Sequence, residues 1–432
     1  MDSDRTALPE PVPTEDPAER RARILFLAVM TLRSVGSAMC YLAATTVVAN
    51  AGDPSSAGIR TSLFLAVSFL AALWVPWVPS VGRRFGEGRS YAVAMLITGG
   101  VAALCAVPVA LTGGDAMGAM LILAVAVGAP GALCSVYQPL LVRRLFSGSS
   151  LALAHSYQGI AGAIGWIGGS IAGGLLIDLR GSAAVLLIGG LLHAPLVIVA
   201  LRAARGEVPE PEELAADGRR EPALRATIRT LRETEGLRRV TFLVAAVAIF
   251  AAPMTSMAVP ISLDLRPPSA ELIATGSGLL MAAFALGRLL APLVVRRLER
   301  AHDAVAASAA AGLGAGLVLF LFAVASGLQG GTRELVDWGL MGIAFGILFY
   351  GNRSLAAGAA DRSGEEKARS QAVIVLIAAL AGPVGSIAWG WSIDTLGPEA
   401  VMVVSGIAVG IVSVALGGHR LFLRRQAQWA GR

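Results

Sequence analysis

The chain reads as an all-α membrane protein, with twelve transmembrane helices in two pseudo-symmetric six-helix bundles, and three observations predict it. Only 15% of its 432 residues are charged while 55% are hydrophobic, a balance that soluble domains rarely show. Crossing a hydrocarbon core of roughly 30 Å takes about 20 apolar residues. Nine charge-free runs are long enough, and three further spans carry a single arginine each. Finally, GSIAGGLLIDLRG, Gly169 to Gly181, returns as GSIAWGWSIDTLG, Gly385 to Gly397, with eight of thirteen positions identical after a shift of 216 residues. A repeat on this scale means two halves built on one plan. A weaker echo lays Pro79 and Arg83-Arg84 over Pro292 and Arg296-Arg297.

In chain order the spans are helix 1 at 24–52, helix 2 at 61–82, helix 3 at 90–114, helix 4 at 116–142, helix 5 at 145–177 and helix 6 at 181–201. The second half has helix 7 at 240–263, helix 8 at 272–295, helix 9 at 304–332, helix 10 at 338–360, helix 11 at 370–393 and helix 12 at 400–419. The chain thus divides into a polar tail at 1–21, an N-terminal bundle at 22–202, a linker at 203–238, a C-terminal bundle at 239–419 and a basic tail at 420–432. With both termini cytoplasmic, 28 of 35 basic residues fall on cytoplasmic segments, four outside and three within spans. Cytoplasmic loops keep Lys and Arg, so this orientation is expected. The pI near 9.8 then reports topology and calls for no nucleic acid. The tail lacks the apolar core and cleavage site of a removed leader. An excess of arginine over the lone Lys367 points to a GC-rich bacterial genome, and with the apolar spans the expected location is a bacterial plasma (inner) membrane. Cys40, Cys105 and Cys134 lie in apolar spans without CxxC or Cys/His spacing, so they read as packing residues and no metal or cofactor is expected.

Helix 1 carries Arg33, Ser37, Tyr41 and Thr45 at steps of four, which predicts one polar face lining a cavity. The other face, with Phe26, Val29, Met30, Met39 and Val48, suits lipid or neighbouring helices. An arginine at this depth is costly unless it meets protein or water, so Arg33 is a candidate functional residue; its alternative is a tie to helix-end carbonyls. Helix 4 contains Gly128-Ala129-Pro130-Gly131, a kink or close-packing point, and ends with Ser135, Tyr137 and Gln138. Helix 5 carries His155 and Gln158, then glycines at 159, 162, 165, 168, 169, 173 and 174 that let helices approach to backbone contact. Under the repeat shift His155 overlies Gln371 of helix 11, a polar residue at the same place in both halves.

The linker opens with a Pro/Glu stretch and continues with Leu224, Ile228 and Leu231 as an apolar stripe beside Arg225, Arg229 and Arg232, an amphipathic helix for the inner lipid surface. Helix 7 carries Pro253-Met254-Thr255-Ser256-Met257 at mid-span, where a proline bends the helix and methionines give adaptable contact. Arg288 in helix 8 is within reach of the inner surface, and Asn352 and Arg353 stand near the inner end of helix 10. Helix 11 contains Gly382-Pro383. Asp178 and Asp394 close helices 5 and 11 on the outer side, where pairing or local capping is expected.

The loop Gly82-Arg83-Arg84-Phe85-Gly86-Glu87-Gly88-Arg89 resembles, in position and charge, the Gly-x-x-x-Asp-Arg-x-Gly-Arg-Arg latch between helices 2 and 3 of the major facilitator superfamily. Arg84, Gly86 and Arg89 lie on that pattern, while Arg83 takes the usual aspartate position and Glu87 a usual basic one. The helix 5 glycines ending in Gly168-Gly169 resemble the antiporter motif of the superfamily's efflux-type members, with Gly165 where its proline is expected. The helix 4 arginine of many drug/proton antiporters is missing. The resemblance covers 22 to 425. It implies that helices 1, 4, 7 and 10 line a midplane cavity flanked by 5, 8, 2 and 11, and that one bundle rocks against the other. Arg33, Ser37, Tyr41, Gln138, His155, Gln158, Met254, Thr255, Asn352 and Gln371 are the candidate cavity residues. Arg83, Arg84, Gly86, Arg89, Gly168, Gly169, Pro253 and Pro383 are the candidate gating or inter-bundle residues.

No Asp or Glu lies inside any span, which disfavours a cationic substrate, whereas Arg33 favours a carboxylate, a phosphate or a polarised oxygen. Histidine is the side chain whose ordinary charge change falls near physiological pH, so His155 is a candidate for proton coupling. The expected activity is a secondary active exporter of a small anionic or neutral organic molecule. The alternatives are an importer or uniporter of a sugar or metabolite, and a non-transporting sensor or scaffold of the same fold. No carboxylate pair, nucleophile–base set or metal cluster lies in the spans, so an enzyme is not expected.

Overall fold

A computed structural model describes residues 17–112, 116–145, 151–203, 222–233, 235–250, 252–265, 273–301, 313–314, 317 and 367–430. Among the described residues nine helices are long and apolar enough to cross a bilayer: Ile24–Asn50, Ala57–Phe85, Glu87–Thr112, Met117–Gln138, Gly159–Arg180, Ser182–Arg202, Ile273–Leu290, Arg369–Leu396 and Pro398–Ala415. These are helices 1 to 6, 8, 11 and 12 of the sequence plan. Helix 7 is assembled from three pieces, Glu235–Phe250, Pro253–Ser256 and Ala258–Leu265. Helix 10 and most of helix 9 fall outside the described residues, as do Asn352 and Arg353.

Prolines and glycines punctuate the helices where backbone chemistry demands it. Helix 2 tightens to a 3-10 turn at Ala72–Trp77 around Pro76, resumes at Val78–Phe85, and stops at Gly86, whose φ of 85° terminates it before helix 3. In helix 4, Pro130 has no N–H to give the carbonyl of Ala126, and the Thr98 hydroxyl of helix 3 donates to that oxygen instead at 3.1 Å. Helix 7 breaks at Pro253, where the preceding Ala252 N–H reaches back to Val247 O at 2.8 Å.

Large apolar side chains such as Leu104, Leu111, Leu179 and Ile411 stand exposed around the outside, as a lipid-facing surface requires. The face of helix 1 with Phe26, Val29, Met30, Met39 and Val48 is buried, so it meets neighbouring helices rather than lipid. Cys40, Cys105 and Cys134 are free and buried. The linker helix Ala223–Glu233 buries Ala226, Thr227 and Thr230 and leaves Leu224 and Ile228 exposed. It packs on helices 7 and 11 and on the 3-10 turn of helix 2. Its protein-facing side is therefore the small Ala/Thr face, adjacent to the apolar stripe that the sequence singles out.

The sequence repeat builds the contact between the two bundles. Helix 5 packs on helix 8, and helix 11 packs on helix 2. Gly169 sits where a Cβ would lie 2.4 Å from Val35 O of helix 1, and Gly385 where a Cβ would lie 2.4 Å from Ile249 O of helix 7. One face of each copy thus packs within its own bundle. The other face meets the opposite bundle: a Cβ on Gly174 would lie 2.6 Å from Ala274 O, and one on Gly390 would lie 2.4 Å from Gly58 O. Ser170 and Ser386 are fully buried, and Gly181 and Gly397 end the two copies with φ of 81° and 82°, a region that favours glycine.

Candidate functional site

A cavity of about 410 Å³ lies between the bundles, lined from helices 1, 2, 4, 5, 7 and 11. Its wall is mostly apolar, with Leu65, Phe69, Val127, Val247, Ile374 and Ala378 among its residues. Polarity enters at Tyr41, Ser68, Ser135, Trp166, Thr255 and Ser256. The rings of Tyr41 and Trp166 tilt against one another with centroids 5.8 Å apart. This wall joins the two bundles, because Tyr41 and Trp166 belong to the first and Thr255 and Ser256 to the broken stretch of helix 7. No carboxylate lines it among the described residues.

Of the ten candidate cavity residues, Tyr41 and Thr255 line this space. Arg33 instead reaches helix 4, where its Nη1 donates to Gln138 Oε1 at 3.1 Å. Among the described residues its buried Nε has no hydrogen-bond acceptor, and the hydroxyl of fully buried Tyr91 likewise has no partner. Arg33 forms no ion pair with an acidic side chain among the described residues. Ser37 turns toward helix 6, so the uniform polar face expected of helix 1 does not form. His193 Nδ1 donates to Gly189 O at 3.0 Å, which leaves Nε2 to accept the Ser37 hydroxyl at 3.2 Å. Thr45 donates to its own helix at Tyr41 O and Leu42 O. Met254 is buried in the apolar core beside the cavity, and Gln371 is buried in helix 11 with Nε2 lacking a partner among the described residues. His155 and Gln158 fall in the first turns of the Leu151–Arg180 helix, and their side chains, like Asn352, lie outside the described residues.

The candidate gating residues divide in the same way. Arg83 donates to Ser80 Oγ at 3.1 Å, the Arg84 guanidinium lies 5.3 Å from the centre of the Phe85 ring, and Arg89 is exposed. Just before them, the Gly82 N–H donates to the Tyr137 hydroxyl at 2.9 Å, and that hydroxyl donates to Val78 O, tying helix 2 to helix 4. Gly169 packs on helix 1, while Gly168 has open space beside it. Pro253 marks the break in helix 7. Pro383 lies inside helix 11 next to Gly382, which seats against the Phe69 ring of the cavity wall.

At the opposite end of the bundles, Asp178 and Asp394 do not cap locally or pair with one another. Asp394 Oδ1 accepts the Gly58 N–H and its Oδ2 the Ile59 N–H, each at 2.8 Å. Asp178 Oδ2 accepts the Thr275 N–H at 2.9 Å and the Thr275 hydroxyl at 2.6 Å. Each aspartate caps a helix of the other bundle. These contacts were missed in the sequence, although their signal, an aspartate at one position of both repeat copies, is visible there.

A sequence profile of the Major Facilitator Superfamily matches residues 24–385. The chain belongs to the major facilitator superfamily. Solved structures of superfamily transporters share its fold. The human organic anion transporter MFSD10 (TETRAN) superposes with a TM-score of 0.66 at 13% identity, over 93% of this chain and 100% of that one. The fucose:proton symporter of E. coli superposes at 0.61 and 12% identity, over 92% of this chain and 98% of that one. A bacterial homologue of the human lysosomal transporter Spinster, in an inward-facing and unoccupied conformation, superposes at 0.63 and 14% identity, over 93% of this chain and 96% of that one. No curated protein matches the sequence. At these identities the likeness is one of fold. The superfamily's two-bundle plan accounts for the repeat, for the cavity between the halves and for the break in helix 7 beside it.

Proposed function

We propose that this superfamily member is a secondary active exporter of a small organic molecule, anionic or neutral, working by alternating access with proton exchange in a bacterial plasma membrane. The observation that carries the reading is Arg33: a guanidinium inside the first bundle that, among the described residues, donates to the neutral amide of Gln138. A cation in a span without a carboxylate against it keeps its charge for an anionic group that arrives with substrate. The cavity, whose lining does not include Arg33, is a separate second support: an aromatic and aliphatic wall with hydroxyls at Tyr41, Thr255 and Ser256, suited to a mostly apolar body with few polar points. Likeness of fold to an organic anion transporter fits this chemistry and does not define it.

In this reading both termini are cytoplasmic, so Arg83 to Arg89 lie inside and Asp178 and Asp394 outside. Residues 22–202 and 239–419 are the two rocking bundles, 203–238 is the linker with its arginines toward lipid headgroups, and 1–21 and 420–432 are tails. His155, Gln158 and Gln371 are assigned to the inner part of the substrate path. Reconstitution tests this reading. Liposomes loaded with organic anions, neutral solutes or organic cations should release anions or neutral solutes faster with the protein present, and faster still under a proton gradient. Release of cations alone would sink it.

A further inference from the structure

Helices 2 and 8 begin at the outer ends of the bundles, at Ala57 and Ile273. The first N–H groups of any helix lack intrahelical acceptors, and an anion placed there gains hydrogen bonds and favourable interaction with the helix dipole. The usual provider is the N-cap side chain, but Ser56 makes no such bond to helix 2. Asp394, 336 residues along the chain, does so in its place, bonding Gly58 N and Ile59 N. Asp178 performs the equivalent task for helix 8 at Thr275.

The two contacts are related by the repeat, since 394 minus 178 and 275 minus 59 both equal 216. Neither aspartate has a cationic partner among the described residues. Arg60, one residue beyond Ile59, is turned to Val48 O, Ala49 O, Asp53 O and Ser56 Oγ of its own bundle. The helix ends are therefore the charge complement of the aspartates, and they belong to the opposite bundle in both cases. Backbone contact surrounds each cap: Gly58 against Gly390, Gly174 against Ala274, and Gly278 against Ser170. The two bundles cannot part at this end without breaking four charge-assisted hydrogen bonds.

Building on the transport reading above, we propose that Asp178 and Asp394 form a matched outer latch, made when the outer side is closed and broken each time the carrier opens outward. The latch is unequal in one respect. Asp394 uses both carboxylate oxygens, one per amide, whereas Asp178 serves both Thr275 donors through a single oxygen. An asparagine at 178 keeps an oxygen able to accept both bonds. An asparagine at 394 turns an NH₂ toward a backbone N–H and loses one bond outright. Asp394→Asn therefore opens the outer side more than Asp178→Asn does.

The test is a distance across the outer face. Spin labels are placed at Ser55 and Glu399, with the buried Cys40, Cys105 and Cys134 replaced by alanine, and pulsed electron resonance gives the distance distribution. Asp394→Ala and Asp178→Ala should each raise the ratio of long to short distances by about tenfold or more, the effect of losing charge-assisted hydrogen bonds. The double variant should make the long distance dominant. If an alanine variant does not fold, the asparagine pair carries the test, with Asp394→Asn shifted further than Asp178→Asn. A distribution unchanged from wild type in the double variant, or in both asparagine variants, overturns the latch. The distance needs no substrate: an unshifted distribution removes the latch even where transport is demonstrated, and a shifted one supports it even where export is not found.

Discussion

The guanidinium of Arg33 donates to Oε1 of Gln138 at 3.1 Å, joining helix 1 to helix 4 inside the first bundle. A neutral amide satisfies part of the arginine's hydrogen-bonding capacity without cancelling its charge. Gln138→Glu should cancel it, abolishing stabilisation by anionic ligands while the fold persists. Gln138→Leu removes the acceptor and leaves the charge, so it should cost about 1–3 kcal/mol of stability. Thermal denaturation with and without an anionic ligand separates the two outcomes.

Adjacent glycines of helix 5 should respond oppositely to alanine. A Cβ on Gly169 would lie 2.4 Å from the backbone of Val35, whereas one on Gly168 meets nothing within 4 Å among the described residues. Gly169→Ala should push helices 1 and 5 apart and destabilise by about 1–3 kcal/mol, with Gly168→Ala within about 0.5 kcal/mol of wild type. Unfolding in mixed detergent measures both.

Trp166 packs against Tyr41 in the wall of the cavity. Trp166→Ala should therefore weaken substrate binding by about tenfold or more, with stability reduced far less than by a backbone clash. Binding titration after reconstitution provides the check, and an unchanged affinity would remove the aromatic pair from the site.

Much of the fold was legible because its causes are local. Charge-free length set the spans, Pro253 marked the break in helix 7, and the repeat marked two halves built on one plan. The polar face of helix 1 was misread for a geometric reason. Each step of four residues overshoots a full helical turn by roughly 40°, so three steps from Arg33 to Thr45 turn the side chains through about 120°. Arg33 accordingly meets helix 4, Ser37 meets His193 of helix 6, and Tyr41 reaches the cavity. The caps by Asp178 and Asp394 were illegible as contacts because their partners include backbone amides, which carry no residue-type signature, at separations of 97 and 336 residues.

Arg33 decides the central claim, and ligand-dependent melting of the purified protein reads it most directly. Wild type and Arg33→Gln are melted against anionic, neutral and cationic organic molecules, since a ligand that binds only the folded state raises Tm by mass action. The account predicts that anions stabilise the wild type and not the variant. Equal stabilisation of both by cations would contradict it, and equal stabilisation of both by neutral amphiphiles would reduce Arg33 to a structural tie and leave the apolar cavity to carry a neutral substrate.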